Sequence, residues 1–129
     1  MTFDVRLDHV SLHVRDLARS AAFYAEALGL QEIENKTGRP HIRWFALGPR
    51  HGLHLISGAV AAPERRPLST HFAVATDAFE VALRRLSEHG VQFGDLTGPN
   101  GEANVRADGA RQIYFQDPDG HWIEINDGS

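Results

Sequence analysis

Leu7-Asp8-His9-Val10-Ser11-Leu12-His13-Val14 begins a pattern that the chain writes twice. Val10, Leu12 and Val14 alternate with His9, Ser11 and His13, the period-two signature of a half-buried strand. Asp16 then stands where a helix cap belongs. Leu17, Ala21, Tyr24 and Leu28 recur at helical spacing, and Gly29 marks the stop. Short strands are predicted over 30–34, 41–47 and 52–57, with turns at Gly38-Arg39-Pro40 and Gly48-Pro49.

The second copy begins at Thr70-His71-Phe72-Ala73-Val74-Ala75. Asp77 and Glu80 have capping-box spacing, and Phe79, Leu83 and Leu86 form a helical stripe that ends at Gly90. Strands are expected over 91–93, 103–107, 111–116 and 121–126. The third of these is followed by Asp117-Pro118-Asp119-Gly120, a type I turn signal. The expected organisation is one domain over 1–129. It comprises a first module (1–58), a linker with two prolines (59–68) and a second module (69–129). Each module reads βαβββ and is too small an open sheet to stand alone, so the fold class is α+β, with paired modules forming a cup-like half barrel.

Composition narrows the function classes. The 129 residues suit one compact domain. With 13 basic and 17 acidic residues the net charge is -4, and no basic run marks a nucleic-acid surface. No apolar stretch approaches a membrane span, and the N-terminus lacks a secretory pattern, so a cytoplasmic location is expected. Cysteine is absent, which removes disulfides, thiolate ligands and cysteine nucleophiles. The eight histidines are the unusual part of the composition.

Alternation assigns faces. If Val10, Leu12 and Val14 face the helix, His9 faces the open side. By the same logic Leu53 and Leu55 send His54 there, Phe72 and Val74 send His71, and Ile123 and Ile125 send Glu124. Two histidines and a carboxylate are enough to hold a divalent ion and leave positions open for a substrate.

The chain resembles the vicinal oxygen chelate superfamily, which includes glyoxalase I, fosfomycin-resistance enzymes, extradiol dioxygenases and bleomycin-resistance proteins. The resemblance spans nearly the whole sequence. It rests on residues 7–17, on Phe23-Tyr24 and Ala27-Leu28-Gly29-Leu30, on Thr70-His71-Phe72-Ala73-Val74, and on the run from Tyr114 to Glu124. It implies metal ligands at His9, His71 and Glu124. It also implies a fourth position at His54, where glyoxalase I-like members usually carry a glutamate that doubles as the proton-transfer base. A histidine there suits that duty, since its ordinary pKa of about 6.5 lies near working pH.

The first expectation is therefore a metal-dependent isomerase or lyase of glyoxalase type, with His54 as ligand or base and Glu124 as ligand and proton shuttle. Its cofactor would be Fe, Mn, Ni, Co or Zn, and its substrate a small molecule with adjacent oxygens. A thiol such as glutathione is compatible but not required. The second is extradiol chemistry on Fe(II), with His54 as a free base and Tyr114 binding the catecholate. Two further readings are attack on a phosphonate-bearing epoxide, drawing on Arg43, Arg106 and Arg111, and metal-free drug sequestration. The resemblance also implies a homodimer, with the site built within one chain or between two. His13, Trp44 and Trp122 are candidates for pocket lining, and Tyr24 is read as helix packing. His41, His51, His89, Arg65 and Arg66 are read as solvated, and His121 is expected to face away from Glu124.

Overall fold

The computed structural model describes residues 3–58 and 65–128, so most of the expected linker lies outside the described residues. The architecture is α+β, with two sheets of different make-up. In the first, β1 (His9–Val14) runs parallel to β4 (His51–Ser57). β4 pairs antiparallel with β3 (Ile42–Leu47), and β3 with the short β2 (Glu32–Ile33), giving the order β1-β4-β3-β2. In the second, β5 (His71–Ala75) runs parallel to β9 (Trp122–Asn126). β9 pairs with β8 (Arg111–Gln116), and β8 with β6 (Phe93–Gly94), while β7 (Asn104–Val105) also pairs β8. No strand of one sheet pairs with a strand of the other among the described residues, so β1 and β5 are both free edges. No described helix is long and apolar enough to cross a membrane.

The alternation read from the sequence sets the core. Val14, Phe45, Leu53 and Leu55 from the first sheet and Ile113, Phe115, Ile123 and Ile125 from the second are buried in one cluster with Tyr24, Phe79 and Leu86 from the helical segments. Helix α1 (Leu17–Ala22) starts as expected, with the Asp16 carboxylate accepting from the Arg19 N–H at 3.0 Å. It then widens into a π-helical turn over Phe23–Ala27, which the regular spacing of apolar residues did not announce. Phe23 and Tyr24 pack edge to face there, their ring centroids 5.2 Å apart.

Helix α2 (Phe79–Glu88) departs from its expected start. Ala78 holds the cap position and makes no side-chain cap bond, while Thr76 Oγ1 accepts from the Ala78 N–H at 3.0 Å. Asp77 falls one residue too early to cap, and Glu80 pairs instead with Arg111 at 2.6 Å. The expected strands over 30–34, 91–93 and 103–107 shrink to two-residue pairings, the second of them shifted to Phe93–Gly94.

The two halves meet at the turn predicted over Asp117–Gly120, which the Gly120 N–H closes onto the Asp117 carbonyl at 3.0 Å. Tyr24 is fully buried and donates to Asp117 Oδ2 at 2.7 Å. The other oxygen of Asp117 accepts from the Asp119 and His121 N–H groups, each at 2.9 Å. Asp119 in turn accepts from the Arg15 N–H and from the Ser20 hydroxyl. His121 Nε2 lies 2.7 Å from the His13 carbonyl oxygen, so His121 does face away from Glu124. Burial, then the Asp117 charge, pushes the Tyr24 phenol well above its ordinary pKa. Arg66, read as solvated, instead donates to the Asp119 carbonyl, and its own carbonyl accepts from the Trp122 indole at 2.8 Å.

Tyr24→Phe leaves Asp117 Oδ2 without its buried donor. The expected loss is about 1–3 kcal/mol of unfolding free energy, read as a lower urea midpoint at unchanged slope.

Candidate metal centre

His71 and Glu124 form the better-defined part of the site. They sit on adjacent parallel strands of the second sheet, with His71 Nε2 3.3 Å from Glu124 Oε1. The far side of each group is already occupied. His71 Nδ1 lies 2.8 Å from the Leu68 carbonyl oxygen, which requires its proton on Nδ1 and leaves the Nε2 lone pair free. Glu124 Oε2 accepts from Asn126 Nδ2 at 2.7 Å and from Gln112 Nε2 at 3.2 Å. Glu124 is only 5% exposed. Its burial raises the carboxyl pKa, but the Asn126 and Gln112 amides, the Tyr114 phenol and His71 outweigh that and hold it below the ordinary value.

His9 is prepared in the same way on the other sheet. Its Nδ1 is 2.8 Å from Asp8 Oδ2, again directing the free lone pair to Nε2. His54 takes a different position. Its ring is sandwiched between Trp44, 4.1 Å away and 3° from parallel, and His9, 4.1 Å away and 15° from parallel. Gly52 makes room for this, since a Cβ there would come within 3.3 Å of His54 Nε2. Burial, then the neighbouring His9, lowers the His54 pKa, against a smaller upward pull from Asp8. An imidazole binds a metal in its own ring plane. Two rings stacked this closely to parallel do not share an in-plane point within bonding distance of both nitrogens.

Tyr114 is paired directly across from Glu124 on β8 and meets the His71 ring edge to face at 5.5 Å. Burial and the Glu124 charge raise its phenol pKa, so Tyr114 Oη keeps its proton at neutral pH. Beside it opens a recess of about 500 Å³, lined by Tyr114, Gln116, Trp122, Val91, Gln92 and Pro99. Its wall includes the loop after β6. A Cβ on Gly94 would collide with the Gly98 carbonyl oxygen and the Asn100 backbone nitrogen, so this loop lies directly on the strand.

The structure brings His71, Glu124 and Tyr114 together on one sheet, and His9 and His54 together on the other. Among the described residues no three of His, Asp and Glu are gathered around one point in a single chain. Asp8, Gln112, Asn126 and the Leu68 carbonyl were not singled out in the sequence. Gln112 and Asn126 could have been found, because period two places both on the same face as Glu124. The three arginines weighed for phosphonate binding all have carboxylate partners: Arg43 with Glu32, Arg106 with Asp108, and Arg111 with Glu80 and Asp127.

The aromatic sandwich can be checked directly. The ring protons of His54 are expected upfield of ordinary histidine values, and Trp44→Leu should move them downfield in a protein whose dispersed NMR spectrum is otherwise kept. His54 resonances at ordinary positions in the wild type would disprove the stack.

The sequence profile of the Glyoxalase/Bleomycin resistance protein/Dioxygenase superfamily matches residues 6–125. A catechol-2,3-dioxygenase of Bacillus subtilis is 35% identical over 128 residues, covering 95% of this chain and 41% of that protein. A lactoylglutathione lyase of Salmonella typhimurium is 28% identical over 128 residues, covering 94% of this chain and 91% of that one. Among solved structures, the oxidase ChaP-H2 is 27% identical with a TM-score of 0.76, covering 98% of this chain and 96% of that chain. With a strand-helix-strands order on each of two sheets, the second carrying one extra short strand, and its profile matched almost end to end, the chain belongs to the Glyoxalase/Bleomycin resistance protein/Dioxygenase superfamily.

Proposed function

We propose that the chain is a mononuclear divalent-metal enzyme acting on a small molecule with adjacent oxygens, and that its reaction is of the oxygen-using, Fe(II)-dependent type. The observation that carries the metal reading is the 3.3 Å separation of His71 Nε2 and Glu124 Oε1, each with its remote atoms tied elsewhere. Two ligands about 2.1 Å from one ion at a right angle stand about 3 Å apart, so this pair fits neighbouring coordination positions. His9 Nε2 would complete a two-histidine, one-carboxylate set, the donor pattern of non-haem iron oxygenases.

We infer further that the set is completed between two copies of the chain. His9 and His71 lie on β1 and β5, the two free sheet edges, and both are exposed within one chain. An edge of one copy laid beside the other edge of a second would bring a His9 half-site to a His71–Glu124 half-site, twice by symmetry.

His9, His71 and Glu124 would hold the ion, which when bound would supply a chelation point for the two substrate oxygens and the oxygen-activating chemistry. The protein's own groups do the rest. His54, held beside His9 and not in line with it, would accept the hydroxyl proton of the substrate at its imidazole nitrogen. Tyr114 Oη, still protonated, would donate to a substrate oxygen. Tyr114 and Trp122 would pack on a planar substrate in the recess. The three arginines weighed for phosphonate binding are paired with carboxylates and do not line this recess, which favours an uncharged substrate over a phosphonate. The oxidase ChaP-H2, of which this chain covers 96%, supports an oxidative reaction in a chain this short. The glyoxalase-type isomerase is the competing reading, supported by the similar-sized lactoylglutathione lyase. In that reading His54 would act as base from the sandwich, or leave it to join the ion.

Three measurements test this. Protein loaded anaerobically with Fe(II) is expected to consume O₂ with a catechol. Turnover of a methylglyoxal–glutathione adduct with Ni or Zn, and none of catechol, would replace the oxygenase reading with the isomerase one. His54→Gln is expected to keep the metal and lose roughly 10²-fold in turnover. Mixing His9→Ala with His71→Ala protein, each unable to bind metal alone, should restore about a quarter of the wild-type sites if dimers form at random. No recovery after exchange of chains would place the site within one copy.

A further inference from the structure

Two amides grip Glu124 through one oxygen, and the Tyr114 phenol reaches the same carboxylate. Oε2 receives two N–H donors, from Asn126 at 2.7 Å and Gln112 at 3.2 Å, which use both of its lone-pair directions. The direction of each amide is itself fixed. Gln112 Oε1 accepts from Asn104 Nδ2 at 2.7 Å, and Asn126 Oδ1 accepts from the Gly128 N–H at 3.1 Å. Neither amide can therefore turn its oxygen toward Glu124 without breaking a second bond. All three side chains are buried: Glu124 is 5% exposed, Gln112 8% and Asn126 9%. A buried donor left without an acceptor costs about 1–3 kcal/mol, so the arrangement resists loosening. Oε1 is left facing His71.

We infer that Gln112 and Asn126, with Asn104 behind them, are positioning residues that confine Glu124 to one-oxygen ligation through Oε1. The inference rests on the metal reading proposed above. It concerns coordination number: a carboxylate that cannot turn to bind through both oxygens leaves three positions of a six-coordinate ion open after His9, His71 and Glu124. Two of those suit a chelating substrate and the third a further small ligand. It also removes the proton-shuttle duty expected of Glu124, because the oxygen that would carry the proton is committed to two donors.

The test is the zinc-minus-apo infrared difference spectrum, in which a carboxylate bound through one oxygen shows a wider gap between its two stretching bands than one bound through both. Glu124→Gln identifies the bands. The wild type should show the wide gap. Gln112→Met, close in shape but without the donor, should narrow it and weaken zinc binding about tenfold, as loss of outer ligand partners does. Asn104→Leu removes no contact to Glu124 and serves if Gln112→Met does not fold. It should shift the bands in the same direction by freeing the Gln112 amide. A narrow gap in the wild type overturns the inference, as does zinc bound with unmoved bands in the folded variants. Failure of the wild type to bind zinc, or any other divalent ion, would overturn the metal reading itself.

Discussion

The buried bond from Tyr24 to Asp117 is the constraint on which the rest of the molecule depends. The two sheets share no strand pairing among the described residues, so their relative position is left to side chains and turns. Asp117 binds the first half through the Tyr24 phenol and its own turn through two N–H groups. Asp119 and His121, on the same turn, reach back to Arg15, Ser20 and the His13 carbonyl. Strand β9 starts at the next residue and carries Glu124 two positions later. One turn thus joins the halves and starts the strand that presents the carboxylate. Arg85 adds a second tie, donating from α2 to the Glu26 carbonyl at the end of the π-helical turn. A Cβ at Gly29 would press on that side chain at 3.0 Å, and the residue's φ of +73° already favours glycine.

Much of this was legible because strands report their faces at period two. The alternation around His9, His54, His71 and Glu124 separated four candidate side chains from the apolar residues beside them, and the core contains those apolar residues. The Asp117–Gly120 turn was readable from turn chemistry alone. What the sequence could not convey was partnership across the fold. Nothing local to Tyr24 says that its hydroxyl meets a carboxylate 93 positions away. The start of α2 was misread because Asp77 and Glu80 have the spacing of a capping box, yet Thr76 organises the entry and Glu80 is drawn to Arg111. The π-helical turn was missed because one extra residue in a turn barely disturbs a short apolar stripe.

The candidate site shows the same division. Which residues share the open face followed from alternation. Which atoms remain available did not, because that depends on what occupies the opposite side of each group. Asp8 beside His9 and the Leu68 carbonyl beside His71 fix the two imidazoles in the same tautomer by different means, one a side chain and the other a main-chain oxygen. The stacking of His54 on Trp44 likewise depends on an absence, the missing side chain of Gly52, which carries no signal in a hydrophobic pattern.

Gly94 has a consequence for the kind of ligand this fold can accept. The loop that follows it rests on the strand backbone and is pinned by Asn100, whose side-chain oxygen accepts from the Asp95 and Glu102 N–H groups. Such a segment is masonry rather than a door. A guest entering the recess beside Tyr114 would meet a wall already set, and selection would come from the guest's own outline. New preferences would then arise by exchanging the side chains that line the wall, with its course left unchanged.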